Sequence, residues 1–325
     1  MHSHRMRCPA TRMATLALPL LLAACASPTA TITPGGIPID TRYTSANQDS
    51  RVLFLVIHYT VADLPLSIKV LTEPQHEVSA HYLVSDDAEP VIYRLVPEER
   101  RAWHSGPSHW RGHQMLNAGS IGIEIVHPGF RLRADGTREY LPFPKAQIDA
   151  LIPLVKDIVK RHGIRPERIV GHSDVLPQNK EDPGPTFPWK RLADEGLIPW
   201  PDAARVAVER VRFEAVLPDV AWFQDALGKH GFSVPRSGVL DEPTKRVLQA
   251  FQMRFRPSNF DGLPDVAWFQ QMLTKHGFAP QTSGVLDEAT RRMIAAIQMR
   301  FRPAKFDGSP DAETAAILHV LVTPP

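Results

Sequence analysis

Two histidines and one aspartate lie at positions from which a protein can bind a transition metal. His58 follows an apolar run at residues 52–57 that is rich in β-branched side chains, and His172 comes after Gly171 and a short predicted strand at residues 168–170. Asp182 comes ten residues after His172, in a proline-rich loop. Two imidazoles and one carboxylate suit zinc and leave a fourth position for water, as a catalytic zinc site requires.

Two further side chains could complete a hydrolytic centre around such a metal. Glu124 alternates with Ile121, Ile123 and Ile125, so it lies on the opposite face of a predicted strand from the isoleucines. A carboxylate in that position can act as general base and proton shuttle. Lys180, two residues before Asp182, can stabilise the oxyanion of a tetrahedral intermediate.

Spacing alone leaves this assignment open. The chain contains 14 histidines, so chance pairs are expected, and a single histidine after a strand is more often structural than a ligand. His81 and His104 illustrate the problem, because each could contact a substrate or simply form structural hydrogen bonds. Composition and spacing therefore make the three residues plausible ligands among several.

The elements that must position these residues can be predicted from hydrophobic periodicity. Residues 145–162 have apolar side chains at helical spacing and are followed by Gly163, which predicts a helix with a glycine stop. Short strands are predicted at residues 52–57, 81–84, 91–96, 121–126 and 168–170. Strands first and then a helix between two strands predict an α/β fold with a mixed central sheet flanked by helices.

Five groups of residues around these positions occur in an order typical of one enzyme superfamily. They are Ile57-His58-Tyr59-Thr60, Ser79-Ala80-His81-Tyr82, Ala102-Trp103-His104-Ser105-Gly106, Asn117 with Ser120-Ile121-Gly122-Ile123-Glu124, and Gly171-His172-Ser173-Asp174 with Lys180-Glu181-Asp182-Pro183. Together they resemble the zinc-dependent N-acetylmuramoyl-L-alanine amidases, a superfamily shared with phage-lysozyme-type amidases and animal peptidoglycan-recognition proteins. The resemblance covers about residues 50–200 and is closest to the outer-membrane lipoprotein amidases.

The resemblance implies a reaction and a role for each of these residues. The reaction is hydrolysis of the amide bond between N-acetylmuramic acid and L-alanine, in peptidoglycan or muropeptides, for cell-wall turnover or recycling. The implied residues are the zinc ligands His58, His172 and Asp182, the catalytic residues Glu124 and Lys180, and the substrate-contact candidates His81, His104 and Asn117. The alternative is a peptidoglycan-binding lipoprotein that does not cleave, which predicts damage in the ligand set or at Glu124, and none is visible.

The second half of the chain contains an internal repeat. Residues 217–262 recur as residues 263–308, and a further helix is predicted near the C-terminus. We expect a small all-α region at residues 215–325, built from two three-helix units. Each copy contains a Gly-x-x-Asp-x-x-Thr turn, which resembles peptidoglycan-binding helical modules; the turns are Gly238, Asp241 and Thr244, then Gly284, Asp287 and Thr290. The same residues could equally serve only as helix caps and turns.

The N-terminal residues indicate export. A basic start is followed by an apolar run at residues 14–24, too short for a stable membrane span. Leu22-Ala23-Ala24-Cys25 resembles a bacterial lipobox, in which the cysteine is lipidated; a plain signal peptide with a chance cysteine is the alternative. We expect a signal peptide at residues 1–24, a lipidated tether at 25–50 and the catalytic domain at 51–205. Ser27 favours the outer membrane, facing the periplasm.

Composition limits the partners. The formal charge of +2 and a charged fraction of 22% give no indication of nucleic-acid binding, and no protein partner is implied. Cys8 would be removed with the signal and Cys25 lipidated, which leaves no structural disulfide. The expected partners are peptidoglycan, muropeptides and, through the lipid, a membrane.

Overall fold

The computed structural model of the protein describes residues 31–215, 218, 220–258, 260 and 262. The chain divides into two compact units, at residues 1–49 and 50–325. In the first, strand β1 (Thr31–Ile32) pairs antiparallel with β2 (Pro38–Ile39). The predicted lipobox and the second repeat lie outside the described residues.

The second unit contains the remaining elements. Its strands are β3 (Phe54–Tyr59), β4 (Tyr82–Val84), β5 (Ile92–Arg94), β6 (His109–Trp110), β7 (His113–Gln114), β8 (Ser120–Ile125), β9 (Phe130–Leu132), β10 (Arg138–Tyr140) and β11 (Ile169–Gly171). Its helices are α1 (Leu64–Thr72), α2 (Lys145–His162), α3 (His172–Val175), α4 (Trp189–Asp194), α5 (Ala203–Ala215), α6 (Val220–His230) and α7 (Glu242–Phe255). Within the described part of the chain, no helix is long and apolar enough to cross a membrane.

Five strands form the central sheet in the order β11-β3-β8-β4-β5. The first four are parallel to their neighbours and β5 is antiparallel to β4, which confirms the predicted mixed sheet. All six residues of β3 are buried, because this strand is covered on both faces. Two small antiparallel pairs, β6–β7 and β9–β10, lie outside the sheet.

Helix α2 covers one face of the sheet. Its buried residues recur at helical spacing and pack on the isoleucines of β8 and on Leu55 and Ile57 of β3. The helix ends at Gly163, whose φ of 65° is the left-handed conformation that glycine adopts without a steric penalty. The predicted bounds of this helix, 145–162, are those observed.

Helices α6 and α7 share a core with the other face. Phe54 and Val56 of β3 lie in one buried cluster with Phe223 of α6 and Phe251 and Phe255 of α7. The described part of the helical region, which the sequence predicts as a separate unit, therefore packs directly against the central sheet. Hydrophobic periodicity does not predict α1, β6–β7 or β9–β10.

Candidate metal centre

The parallel strands bring the predicted site residues to one edge of the sheet. His58 is the fifth residue of β3, within the strand rather than after it, and its Cα pairs in register with that of Glu124 on β8. On the other side of β3, strand β11 ends at Gly171 and His172 begins α3 directly. The carboxyl ends of parallel strands are where α/β sheets commonly bind ligands.

Gly171 allows the loop that carries Asp182 to approach this edge. A Cβ atom at Gly171 would lie 2.7 Å from Cδ of Pro183, which is too close for any side chain. The approach is fixed by a hydrogen bond of 2.8 Å from the backbone N–H of Ser173 to the carbonyl oxygen of Asp182. Glycine is therefore required at position 171 for a steric reason.

The three predicted ligands converge on one point. His58 Nδ1 lies 3.0 Å from His172 Nδ1 and 3.0 Å from Asp182 Oδ2, and His172 Nδ1 lies 3.1 Å from the same oxygen. All three residues are buried, and they are the group of potential ligands found in the described part of the chain. Atoms bound to one tetrahedral zinc at about 2.0–2.1 Å lie about 3.3 Å apart, so this triangle is close to that geometry.

The protonation states of these residues suit a cation. Burial and the neighbouring His172 lower the pKa of His58 to about 4, so its imidazole is neutral at pH 7. Burial alone would raise the pKa of Asp182, but the two histidines hold it well below its ordinary value. Two imidazoles and one ionised carboxylate are a donor set that suits zinc.

A chain of hydrogen bonds fixes which nitrogen of His58 is available. Ser120 Oγ donates to the carbonyl oxygen of Leu116 at 2.7 Å, so it must accept from His104 Nε2 at 3.2 Å. His104 Nδ1 then lacks a proton and accepts from His58 Nε2 at 3.1 Å. The lone pair of His58 Nδ1 therefore points into the ligand triangle, which is the tautomer that metal binding needs.

His104 is held for this role by its surroundings. A Cβ atom at Gly122 would lie 2.4 Å from the His104 ring, so only glycine leaves room for it on β8. Asn117 Oδ1 accepts hydrogen bonds from the backbone N–H groups of His104 and Ser105, at 3.1 and 2.8 Å. Asn117 thus braces the loop, and the prediction that it contacts substrate is not supported by this placement.

His81 does not line the cleft over the proposed ligands. Its side chain is buried, its Nδ1 accepts from the N–H of Gly122, and its Nε2 donates to the carbonyl oxygen of Arg100. Both ring nitrogens are used by the backbone, so His81 is the structural histidine that the sequence left as the alternative. His104 does line the cleft, but its two nitrogens bond to His58 and Ser120.

Glu124 lies beside the ligands with a perturbed carboxyl group. Burial, followed by the negative charge of Asp182, raises its pKa to about 8, while Lys180 opposes the shift. Its Oε2 is buried and has no hydrogen-bond partner in the part of the chain that is described. A carboxyl group with a pKa near neutrality and a free oxygen is suited to moving a proton.

A cleft of about 500 Å³ opens over these residues. Glu124, His172, Lys180 and Asp182 form its polar side, and an apolar side is contributed by α1 together with Val78 and the half-exposed Trp103. This volume is within the range of small-molecule sites. Lys180 lies in the same cleft, as the sequence predicts for an oxyanion-stabilising cation.

The β9–β10 pair holds the segment that carries Lys180 and Asp182. Glu181 Oε2 accepts a hydrogen bond of 2.7 Å from Arg138 and one of 3.1 Å from Tyr140, and Tyr59 donates to its Oε1 at 3.4 Å. The carboxylate of Glu181 is therefore bound by three side chains, none of which is a proposed ligand. Glu181 and Ser120 both lie within the ordered motifs, but the sequence alone gave neither residue a role.

In the first copy of the helical repeat, the Gly-x-x-Asp-x-x-Thr turn leads into the start of α7. Asp241 caps α7 by accepting from the N–H of Thr244 at 2.9 Å, and Gly238 has a φ of 70°. Gln224 of α6 binds both ends of the turn, donating to Thr244 Oγ1 and accepting from the N–H of Gly238. Trp222 packs against Phe213 and Phe223, so it belongs to the core.

Comparison with known families identifies proteins that this chain resembles. The N-acetylmuramoyl-L-alanine amidase family matches residues 48–185, and a peptidoglycan binding domain matches residues 217–265 and 262–318. The chain is 43% identical over 253 residues to N-acetylmuramoyl-L-alanine amidase AmiD of Escherichia coli (strain K12), covering 76% of this chain and 90% of that protein. It is 38% identical over 115 residues to 1,6-anhydro-N-acetylmuramyl-L-alanine amidase AmpD of Enterobacter cloacae, covering 35% of this chain and 55% of that one.

Solved structures agree. AmiD from E. coli, in complex with anhydro-N-acetylmuramic acid-L-Ala-D-gamma-Glu-L-Lys, superposes with a TM-score of 0.67 at 36% identity, covering 90% of this chain and 96% of that one. AmpDh3 from Pseudomonas aeruginosa gives a TM-score of 0.67 at 34% identity, covering 88% and 97%. The family resemblance inferred from the ordered motifs is confirmed.

Proposed function

Because this chain belongs to the N-acetylmuramoyl-L-alanine amidase family, we propose that it hydrolyses the amide bond between N-acetylmuramic acid and L-alanine in peptidoglycan or its fragments. The observation that carries the proposal is the convergence of His58, His172 and Asp182 at 3.0–3.1 Å, at a cleft that His172, Asp182 and Glu124 line. A structurally similar relative contains a muropeptide with this bond.

We propose zinc as the metal and these three residues as its protein ligands. The donor set of two imidazoles and one carboxylate, with a position left for a fourth ligand, supports the assignment. When bound, zinc supplies Lewis-acid chemistry, which polarises a carbonyl oxygen and lowers the pKa of water.

Glu124 is the proposed proton carrier of the reaction. Amide hydrolysis requires that one proton leave the attacking water and that one reach the departing amine. Glu124 is suited to carry them because its carboxyl group lines the same cleft as His172 and Asp182 and its Oε2 has no hydrogen-bond partner among the described residues. Lys180, in the same cleft, stabilises the negative charge that develops on the carbonyl oxygen.

The identity of the products tests the proposal. Purified protein with bound zinc is incubated with anhydro-muropeptides, and the products are separated and weighed by mass spectrometry. The proposal predicts a peptide with a free amine on L-alanine and a sugar with a free lactyl carboxylate. A new amine within the stem peptide would instead identify a zinc peptidase, and no cleavage at verified zinc occupancy would favour a non-cleaving binding protein.

We further propose that residues 51–205 form the catalytic domain and that residues 215–325 bind the cell wall. The match of a peptidoglycan binding domain to both copies of the repeat supports the second assignment. Sedimentation of the protein with purified peptidoglycan tests it, with removal of residues 263–325 expected to reduce the bound fraction.

The cellular location is the last part of the proposal. The basic start, the apolar run and the sequence Leu22-Ala23-Ala24-Cys25 support lipidation of Cys25 and attachment to the periplasmic side of the outer membrane. Labelling with a fatty-acid analogue should mark the wild type and leave Cys25→Ala unmarked. Equal labelling of both would contradict lipidation at Cys25.

A further inference from the structure

The first copy of the helical repeat is part of the same core as the catalytic sheet. Val170 of β11 and Val175 of α3 lie in one buried cluster with Phe251 and Phe255 of α7. The backbone joins as well, because the N–H of Arg111 donates to the carbonyl oxygen of Gly231 at 2.9 Å. This copy is therefore positioned to influence the residues that it covers.

A buried ion pair lies in this interface. Arg254 of α7 donates through Nη1 to Asp174 Oδ2 at 2.5 Å, and the two side chains are only 5% and 1% exposed. Its guanidinium also lies 4.1 Å from the centre of the Trp189 ring. A charge buried this completely requires its partner, so the geometry of both groups is closely constrained.

The arginine holds the backbone on both sides of His172. Arg254 Nη2 donates to the carbonyl oxygen of Ile169, three residues before His172. Asp174, two residues after it, accepts from the N–H of Gly171 at 2.8 Å through the same Oδ2 that binds Arg254. One side chain from the helical region thus fixes the junction of β11 and α3, where the second histidine begins its helix.

The ring of His172 has less support of its own than that of His58. His58 Nε2 bonds to His104, whereas His172 Nε2 is buried with no hydrogen-bond partner in the described residues. The backbone beside His172, which Asp174 and Arg254 bind on both sides, is therefore a main support for the position of its ring.

We propose that Arg254 is a positioning residue for His172, so that the first helical repeat completes the metal centre of the catalytic domain. The proposal rests on the proposed metal ligands and is independent of which amide bond is cleaved. In this role Arg254 acts through the backbone and does not touch zinc or substrate.

The test compares Arg254→Met and Arg254→Lys in the full chain with Arg236→Met. Arg236 also pairs with an aspartate in the helical region, but its side chain is 72% exposed. Zinc affinity is measured by competition with a chromophoric chelator, at a temperature where each variant is folded by circular dichroism. Hydrogen exchange of the amides at residues 170–174 is followed in zinc-free protein.

Arg254→Met should weaken zinc binding about 10- to 100-fold and speed amide exchange at residues 170–174 before any zinc is added. Arg254→Lys, which keeps the charge but not the two-point contact, should recover part of the affinity, and Arg236→Met should stay within about twofold. Combining Arg254→Met with Asp174→Asn should cost little beyond the larger single effect.

A zinc affinity within about twofold of wild type in folded Arg254→Met would overturn the proposal, even if the variant unfolds at a lower temperature. If Arg254→Met does not fold, Arg254→Lys decides by the same criterion, because its affinity must then fall below that of Arg236→Met. Failure of the proposed reaction would appear only in the products, since zinc affinity does not report which bond is cut.

Discussion

The two histidines of the candidate metal centre occupy equivalent places in the fold but are held in different ways. Each lies at the carboxyl end of a parallel strand, and the two Nδ1 atoms are 3.0 Å apart. His58 is oriented by a hydrogen-bond chain through His104 and Ser120, all within the catalytic region. His172 has no such chain among the described residues, and its backbone is held by Arg254 from the helical region.

This difference shows two solutions to one physical problem. A ligand ring must point its lone pair at the metal before binding, or affinity is lost in ordering it. On the His58 side, tautomer and direction are set by side chains of neighbouring strands and loops. On the His172 side, we infer that direction depends on the backbone where a strand becomes a helix, and Arg254 from the helical region binds that backbone.

Removing Asp182 should have the largest effect on zinc binding, because its Oδ2 contacts both histidines. We expect Asp182→Ala to weaken zinc binding by at least about 100-fold, since a structural zinc contributes about 10–16 kcal/mol shared among its ligands. Chelator competition measures the affinity, and circular dichroism controls for folding. Retention of wild-type affinity would exclude Asp182 as a ligand.

Changing His104 should affect the His58 side alone. His104→Phe fills the same space but cannot accept from His58 Nε2, so zinc affinity should fall about 10- to 100-fold. His104→Gln offers an acceptor and a donor at similar positions and should recover part of the loss. If both variants bound zinc as tightly as the wild type, the hydrogen-bond chain would have no role in orienting His58.

The sequence predicts the residues of the candidate site better than the residues and strands that hold them in place. The ordered motifs place the proposed ligands, Glu124 and Lys180, because chemistry restricts the residue types there. Arg254 carries no comparable signal, since the same Gln-Met-Arg-Phe-Arg-Pro segment occurs in both copies of the repeat. The pairs β6–β7 and β9–β10 were missed because their residues are mostly half-buried or exposed and include many polar types, so they form no apolar run.

Glu98 provides an ion pair that should affect stability without affecting zinc. Burial alone would raise its pKa, but hydrogen bonds from Arg161, Tyr82 and His162 lower it to about 2, from 4.5. Because the folded-state pKa is depressed, its contribution is complete above about pH 4.5 and is lost as pH falls towards 2.

Glu98→Gln should therefore lower the free energy of unfolding by about 1–2 kcal/mol at pH 7 and by almost nothing near pH 2, after allowance for solvent screening. Chemical denaturation at several pH values measures this. Zinc affinity at pH 7 should remain within about twofold of wild type. A loss of zinc affinity comparable to that of His104→Phe would show that ion pairs anywhere in the domain affect the site.

The smallest effect is expected at the exposed ion pair of the helical region. Arg236 lies 3.4 Å from Asp225 with both side chains largely in solvent, so Arg236→Met should change the free energy of unfolding by less than about 1 kcal/mol. Removing the buried partner at Arg254 should cost about 3–5 kcal/mol. Equal losses in the two variants would mean that burial does not distinguish these pairs.

The most direct test of the proposed mechanism is the turnover of Glu124→Gln on an anhydro-muropeptide at matched zinc occupancy. Glutamine preserves the shape of the side chain but cannot carry a proton. We predict that kcat falls about 100- to 10,000-fold while zinc affinity stays near that of the wild type and the small residual product still has its free amine on L-alanine. Wild-type turnover in zinc-loaded Glu124→Gln would contradict the assignment of Glu124 as the proton carrier.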